Sequence, residues 1–184
     1  TYPDATIARM VVVLLVLIGL ALFCIIFLTY LADIIRNGLA PNIPSPHSAL
    51  GEITQALQIT KGDKVMEIGC GDARMIKQAA INYPKARFIG IDNGLLALSQ
   101  AKLNTMRVKN VRIQYGNFKK SPKLKANKFY VYLLPEALEI ISPKIPKGSK
   151  VVSLEYKFAD LKPSKTIVLK QPTNLVHKLY VYDF

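Results

Sequence analysis

Metal ligands and disulfide-forming residues are scarce in this sequence. Its 184 residues include two cysteines, two histidines and no tryptophan. Cys24 and Cys70 lie far apart in the chain, and so do His47 and His177. This spacing matches neither a zinc motif nor a disulfide framework, and it favours a reducing compartment. We therefore expect no metal centre.

Acidic residues are also few. The chain has 12 acidic and 25 basic residues, which give a formal net charge of +13. Up to Ala32 the only charges are those of Asp4 and Arg9, which cancel, so the whole excess lies in residues 33–184. Such a basic body suits anionic partners, namely lipid headgroups, nucleic acid or acidic protein surfaces. Lysines that only maintain solubility would give the same balance.

Charge is absent altogether from Met10 to Ala32. A helix of this length spans about 34 Å, and the hydrocarbon core of a bilayer is about 30 Å thick. The apolar core of a signal peptide is shorter, and no clear small-x-small cleavage site follows this run. Residues 1–33 are therefore predicted to form a transmembrane anchor. Arg36 and the lysine-rich body follow it, so the positive-inside rule predicts a single-pass membrane protein with its body in the cytoplasm.

A proline-rich linker, residues 34–46, follows the predicted anchor. Pro41, Pro44 and Pro46 exclude a regular helix and favour extended chain. A linker of about 14 residues reaches at most about 50 Å, so we expect the body to stay close to the bilayer. Helical spacing resumes after Pro46, with Ser48 as the predicted cap, and the body is predicted to occupy residues 47–184.

Strand-like and helix-like segments alternate through the body. The predicted strands are KVMEI, RFIGID, VRIQY, KFYVYLL, KVVSLEY, KTIVLK and HKLYVYDF, and the predicted helices are ARMIKQAAI, LLALSQAKLNTM and PEALEII. This alternation predicts an α/β fold, a mostly parallel sheet with helices on both faces. The last two strands are separated only by QPTN and the residues beside it, which suggests a C-terminal antiparallel hairpin.

The segment VMEIGCGDARM, residues 65–75, contains the most informative loop. Gly69 and Gly71 directly follow the first predicted strand, and Asp92 ends the second. Ligands of such sheets bind beyond the carboxyl ends of the strands, where glycines let the backbone approach closely. A carboxylate at Asp92 suits ribose hydroxyls. Both NAD and S-adenosylmethionine fit these three residues.

Two details favour S-adenosylmethionine over NAD. The dinucleotide fingerprint has a third glycine where this chain has Arg74. The carboxylates of Glu67 and Asp72 would repel a pyrophosphate, whereas they would attract the sulfonium and ammonium groups of S-adenosylmethionine. The alternative is a plain tight turn with a partnered acid.

On these residues the body resembles class I S-adenosylmethionine-dependent methyltransferases, from about residue 41 to the end. It looks most similar to a group that includes archaeal protein-lysine methyltransferases, mitochondrial lysine methyltransferases acting on the ATP synthase c-subunit and the adenine nucleotide translocase, and membrane-anchored bacterial relatives. The segments that carry the resemblance are PNIPSP, MEIGCGDAR, GNF, VYLLPE, KVVS and HKLYVY. It implies a Rossmann-like seven-stranded sheet whose last strand is inserted antiparallel.

The resemblance also implies a set of residues that bind S-adenosylmethionine. They are Glu67, Gly69 and Gly71 at the methionine part, Asp92 and Asn93 at the ribose, and Asn117 and Phe118 at the adenine. The sequence departs from the family at two places. GDGR reads GDAR here, so Ala73 is expected to stiffen the helix start, and the ribose acid, more often Glu, is Asp92.

The methyl acceptor is expected beyond the fourth strand, at Pro135 and Glu136. In DNA and glutamine methyltransferases this place carries Asn/Asp-Pro-Pro-Tyr/Phe, whereas LLPE here argues against amides and base amines. Glu136 is the candidate to receive a lysine ammonium, although it could equally cap the helix that begins there. Glu155 and His177 are weaker candidates.

These inferences predict a membrane-anchored methyltransferase that modifies a lysine of a protein at or in the membrane. Nucleic acid is a less favoured partner, because the lysine-rich segment FKKSPKLKANK lacks interleaved aromatics. RNA, a phospholipid amine, or a tethered binding module that has lost catalysis are the alternatives. The sequence gives no indication of the oligomeric state.

Overall fold

The computed structural model describes residues 5–37, 43–120, 124–170 and 176–184. The predicted QPTN turn and the centre of the predicted linker lie outside the described residues. The chain consists of two compact units, Thr1–Pro41 and Asn42–Phe184.

The first unit contains one long helix, α1, Ala5–Asn37. Its segment Thr6–Ala32 contains an 18-residue stretch with a mean hydropathy of 3.5 and no buried residue, so the segment is long and apolar enough to cross a membrane. A signal sequence near an N-terminus can have the same length and apolar composition. The Thr29 hydroxyl donates to the Ile26 carbonyl at 2.8 Å, which pairs this polar group within the helix. The helix continues four residues past the predicted end of the anchor at residue 33.

The second unit, hereafter the body, contains four further helices and seven strands among its described residues. The helices are α2 Leu50–Leu57, α3 Arg74–Asn82, α4 Leu95–Thr105 and α5 Pro135–Ile141. The strands are β1 Lys64–Ile68, β2 Arg87–Asp92, β3 Val111–Tyr115, β4 Lys128–Val131, β5 Lys150–Leu154, β6 Lys165–Lys170 and β7 Val176–Asp183. Short 3-10 turns at His47–Ala49 and Ser142–Lys144 adjoin α2 and α5.

The strands form one sheet in the order β3-β2-β1-β4-β5-β7-β6. Strands β1 to β5 run parallel, and β7 lies antiparallel between β5 and β6. This arrangement confirms the predicted seven-stranded sheet with an inserted last strand. The strand order reverses direction at β1 and β4, and such a switch point opens a crevice at the carboxyl ends of the two strands. The glycine loop follows β1 at that crevice.

Both faces of the sheet are buried under helices. Along β4, Phe129 and Val131 join one apolar core, whereas Tyr130 joins the core on the other face. All three side chains are fully buried. Burial on both faces explains why the parallel strands read as nearly continuous apolar runs.

The main differences between the structure and the predicted elements are one helix cap and the ends of two strands. Ser48 does not cap α2, because the 3-10 turn puts Ala49 at the N-cap, with no side-chain cap bond. Strands β4 and β5 end at Val131 and Leu154, earlier than predicted. The chain leaves β5 in a tight turn, in which the Tyr156 N–H donates to the Leu154 carbonyl at 2.9 Å.

Two glycines provide a matched test of this packing. A Cβ at Gly90 in β2 would lie 2.8 Å from Ile113 Cδ1 and 2.9 Å from Cys70 Sγ, whereas a Cβ at Gly51 in α2 meets nothing within 4 Å. Gly90→Ala should lower the free energy of unfolding by about 1–3 kcal/mol through overpacking. Gly51→Ala should raise it by up to about 1 kcal/mol. Chemical denaturation of both variants measures this, and equal stabilities would contradict the packing described.

Candidate active site

The loop after β1 is shaped by residues with positive φ. Gly69 and Gly71 have φ angles of +72° and +53°. The N–H groups of Gly69 and Cys70 both donate to the Ile91 carbonyl, at 2.8 and 3.1 Å. A Cβ at Gly69 would lie only 2.9 Å from Leu133 Cδ2. Both backbone conformation and space therefore favour glycine at this position.

Ala73 occupies the place where the resembling family has a third glycine of its loop. It is fully buried and lies in the left-handed region, with φ +58° and ψ 28°, directly before α3. It is the N-cap of α3 rather than a helical residue, and the predicted stiffening of the helix start stays a prediction. A non-glycine residue in this conformation costs about 1–2 kcal/mol, and burial of one methyl group offsets about 0.8 kcal/mol of that.

The Asp92 carboxylate connects the ends of β1 and β2. Its Oδ2 accepts from the Gly71 N–H at 2.9 Å, and its Oδ1 accepts from the Gly94 N–H at 2.8 Å. Each carboxylate oxygen retains a second lone-pair site, so the group still has capacity for ribose hydroxyls. Asn93, the other residue predicted at the ribose, follows it and is half-buried.

The Asp72 carboxylate forms a salt bridge with Arg74. The Arg74 guanidinium donates to both Asp72 oxygens, the shortest contact being Nη2 to Oδ2 at 2.7 Å. Burial works against ionisation, but the hydrogen bonds from Arg74 outweigh it and lower the pKa of Asp72. The sequence assigned a cation-attracting role to both Glu67 and Asp72. The structure pairs Asp72 with Arg74, so of the two acids Glu67 is the one that stays available for the predicted role.

Glu67 is a buried carboxylate with an unpartnered oxygen. Its side chain is 5% exposed, and among the buried atoms of the described residues Oε2 is the one without a hydrogen-bond partner. Burial raises its pKa well above the ordinary value, the Ile76 N–H opposes this, and the charges of Asp72 and Asp92 add to it. Glu67 adjoins a cavity of about 20 Å³, whose lining also includes Ser45, Gly69, Gly71 and Tyr132. A buried carboxyl group with an unpartnered oxygen beside a cavity fits a cationic ligand group, which would favour its ionised form and which the ammonium of S-adenosylmethionine would supply.

The segment before α2 closes one side of this cavity. The hydroxyl groups of Ser45 and Tyr130 are hydrogen-bonded at 2.7 Å in a buried position. Arg74 Nη1 donates to the Ser45 carbonyl at 3.5 Å. These contacts fix the IPSP part of the predicted linker against the body. This role of Ser45 was not predicted, although the segment PNIPSP that contains it is one of those that carry the family resemblance.

The predicted adenine-side residues lie after β3 at the same sheet edge. The Gly116 N–H donates to the Asp92 carbonyl at 2.9 Å, which holds this segment beside the end of β2. Asn117 Oδ1 accepts from the Lys119 N–H at 2.9 Å. Phe118 packs against the core on the α5 side. Their contact with adenine stays a prediction.

The acceptor side contains one arrangement that the sequence did not reveal. Pro135 and Glu136 are exposed in the first turn of α5 and do not line the cavity, so their predicted role stays untested. Glu155 and His177, in contrast, form a side-chain hydrogen bond between the end of β5 and the start of β7. Within the described residues, no group of three or more His, Cys, Asp or Glu side chains could hold a metal ion.

The sequence matches the methyltransferase domain family over residues 59–176, well over half of the chain. Together with the sheet order and the glycine loop, this match shows that the chain belongs to that family.

Individual relatives agree with this membership. A protein-lysine N-methyltransferase from Saccharolobus islandicus is 26% identical over 149 residues, which cover 77% of this chain and 92% of that protein. An RNA methyltransferase from Salinibacter ruber, solved with S-adenosyl-L-homocysteine, has a TM-score of 0.67 at 20% identity, and the match covers 76% of this chain and 92% of that one. A methyltransferase from Thiobacillus denitrificans, solved with the same ligand, has a TM-score of 0.52 at 16% identity, covering 78% and 58%. The two solved structures share their fold with the body of this chain.

Replacement of Glu67 should separate stability from cofactor binding. Because the folded-state pKa of Glu67 is raised, the ionised form destabilises the ligand-free protein as pH rises above the unfolded-state value. Glu67→Gln should therefore match the original chain near pH 4 and exceed its free energy of unfolding at pH 8. The same variant should bind S-adenosylmethionine about 1–3 kcal/mol more weakly, having lost a charge-assisted contact.

Calorimetry and denaturation at the two pH values measure both effects. The exposed Glu139→Gln, in α5, is the matched control and should change neither quantity. A Glu67→Gln variant with unaltered affinity would show that the carboxylate does not meet the cofactor's cation.

Proposed function

We propose that this methyltransferase transfers a methyl group from S-adenosylmethionine to a lysine side chain of a protein at or in a membrane. The observation that carries the proposal is the buried, unpartnered Glu67 oxygen beside the glycine loop. Such an oxygen suits a cationic methyl donor in a fold whose members transfer methyl groups.

S-adenosylmethionine is the methyl donor. When bound, it supplies a methyl group already activated by a sulfonium. Glu67, Gly69 and Gly71 would hold its methionine part, and Asp92, already fixed by two backbone N–H groups, would accept from its ribose. Because the donor is activated, the protein's main contribution is to position the acceptor in line with the methyl group.

Two features support lysine as the acceptor. The Saccharolobus islandicus relative is a protein-lysine N-methyltransferase. The loop after β4 reads LLPE, without the Pro-Pro-aromatic element that binds amides and base amines. A lysine ammonium has a free pKa near 10.4, so the site must bind it and remove a proton before transfer. The resemblance to lysine methyltransferases of membrane proteins supports the same acceptor class.

The membrane location rests on α1 and on charge. The apolar segment Thr6–Ala32 is long enough to span a bilayer. A tether of this kind raises the effective concentration of membrane substrates without any new contact. The excess positive charge after residue 32 would add attraction to anionic headgroups, about 1 kcal/mol for each well-placed lysine. The cytoplasmic orientation follows from the positive-inside rule.

Asp92→Ala should weaken S-adenosylmethionine binding by about 1–3 kcal/mol. The change removes the ribose acceptor and releases the N–H groups of Gly71 and Gly94 from the carboxylate. Calorimetry measures the affinity, with the exposed Asp160→Ala as the matched control. Tight NADH binding without any response to S-adenosylmethionine would contradict the cofactor assignment.

Deletion of residues 1–40 should separate tethering from chemistry. Methylation of a soluble lysine peptide should change less than twofold, whereas methylation of membrane-embedded proteins should fall about 10²-fold or more, as expected for lost effective concentration. Radiolabelled methyl donor with fractionated membranes measures both activities. Higher salt should weaken the membrane activity more, because it screens headgroup attraction.

The same experiment distinguishes the acceptor classes. Equal activity of the full and shortened chains on native membranes would contradict tethering. Label found only in lipid, or label removed by nuclease, would replace lysine with a phospholipid amine or RNA. The lysines at 119, 120 and 125 are exposed, as the RNA alternative requires.

A further inference from the structure

The Glu155–His177 pair lies at the carboxyl edge of the sheet, outside the cofactor residues. Glu155 directly follows β5, and His177 lies near the start of the antiparallel β7. His177 Nδ1 contacts Glu155 Oε1. The Glu155 and His177 side chains are 26% and 18% exposed, so the pair is partly buried but open to a ligand.

Glu155 has a backbone conformation that is unfavourable for a glutamate. Its φ is +68°, in the left-handed region, where glycine would carry no steric cost. The Glu155 N–H donates to the Lys178 carbonyl at 2.8 Å, and the His177 ring holds its side chain. Strained non-glycine residues that their surroundings hold in place cluster at functional sites.

The sheet register places this pair at the same edge as a residue of the cavity lining. Val131 of β4 pairs with Ser153 of β5, so Tyr132 and Glu155 leave neighbouring parallel strands at the same edge. Tyr132 lines the cavity that Glu67 adjoins, whereas Glu155 does not. Burial, and then the negative charge of Glu155, raise the pKa of Tyr132, as expected for neighbouring groups. Tyr132 is thus the residue through which the Glu155–His177 pair neighbours the cavity.

We propose that Glu155, held by His177, binds the ammonium group of the acceptor lysine beside Tyr132. This inference rests on the proposed function, because it assigns that function's amine site. A carboxylate is the natural partner of a primary ammonium, and its partial burial strengthens the attraction. His177 is a positioning residue, which acts by fixing the Glu155 carboxylate.

Methyl transfer to the bound lysine breaks one carbon–sulfur bond and releases one proton. The ammonium loses one proton to the Glu155 carboxylate, from which it passes to water. The freed nitrogen lone pair forms a bond to the methyl carbon, and the bond between that carbon and sulfur breaks, leaving its electron pair on sulfur. The products are a methylated lysine, a neutral thioether and one released proton.

Glu136 is the rival carboxylate. It is exposed in the first turn of α5, where a helix N-terminus favours an acid without any functional role. Neither Glu136 nor Glu155 lines the cavity, so the lining does not separate the two acids. What separates them is the His177 partner of Glu155 and the effect of its charge on Tyr132, a residue of that lining.

The test uses the full chain in detergent and two readouts. The first is methyl transfer to a soluble lysine peptide, with KM and kcat measured separately. The second is binding of n-butylammonium, the lysine head without a backbone, followed by NMR in the presence of S-adenosyl-L-homocysteine. The variants are Glu155→Gln, His177→Gln and Glu136→Gln, with the exposed Glu139→Gln as the matched control. Calorimetric S-adenosylmethionine affinity checks that each variant is folded.

Glu155→Gln should raise KM for the peptide at least tenfold and abolish n-butylammonium binding, with S-adenosylmethionine affinity within twofold of the original. His177→Gln should raise the same KM about three- to tenfold, and Glu139→Gln should change nothing. Equal n-butylammonium binding by Glu155→Gln and the original chain would overturn the inference, whether or not lysine is methylated. A larger loss in Glu136→Gln would also overturn it. Glu155-dependent binding without any transfer to lysine would support the amine site while contradicting the proposed function.

Discussion

The hydrogen bond from the Gly71 N–H to Asp92 Oδ2, at 2.9 Å, sets the geometry on which the site depends. It joins the loops that follow β1 and β2, next to the point where the strand order reverses. A second bond, from the Gly94 N–H to Oδ1, fixes the carboxylate itself. Since both partners are backbone groups, the carboxylate is oriented before any ligand arrives, so the predicted contact with a ribose would require little further ordering.

Three features of the site make the ligand-free protein less stable than its well-packed cores would allow. Glu67 is a buried carboxyl group with one unpartnered oxygen, and Ala73 and Glu155 have left-handed backbones. Glu67 lies near the end of β1, whereas Ala73 and Glu155 lie on the chain that follows β1 and β5. Gln58, the other non-glycine residue with a positive φ among the described residues, is the C-cap of α2. The cores on the two faces of the sheet, in contrast, are filled by apolar side chains. Strained residues held in place by a well-packed domain are typical of functional sites.

The strands, the sheet order and the position of the glycine loop could be predicted from sequence, because apolar runs and glycines are local signals. Strand β3 and helix α5, for example, have the predicted limits. The contacts missed were long-range ones. Ser45 meets Tyr130, and Glu155 meets His177, only after the sheet has assembled. The predicted Ser48 cap was wrong because the chain entered α2 through a 3-10 turn, which propensity does not distinguish from a capped helix start.

Arg74 explains how this loop differs from a dinucleotide-binding loop. At the third glycine position of the dinucleotide fingerprint, the chain places a guanidinium, a group that suits phosphates. That guanidinium is instead paired with both oxygens of Asp72 and with the Ser45 carbonyl. The pair is close to neutral, so the unpartnered acid at the cavity is Glu67. A pyrophosphate would bring negative charge next to that acid, whereas a sulfonium ligand with an ammonium group would favour its ionised form. The predicted preference of the loop for a cationic cofactor therefore rests on which of its acids is left unpaired.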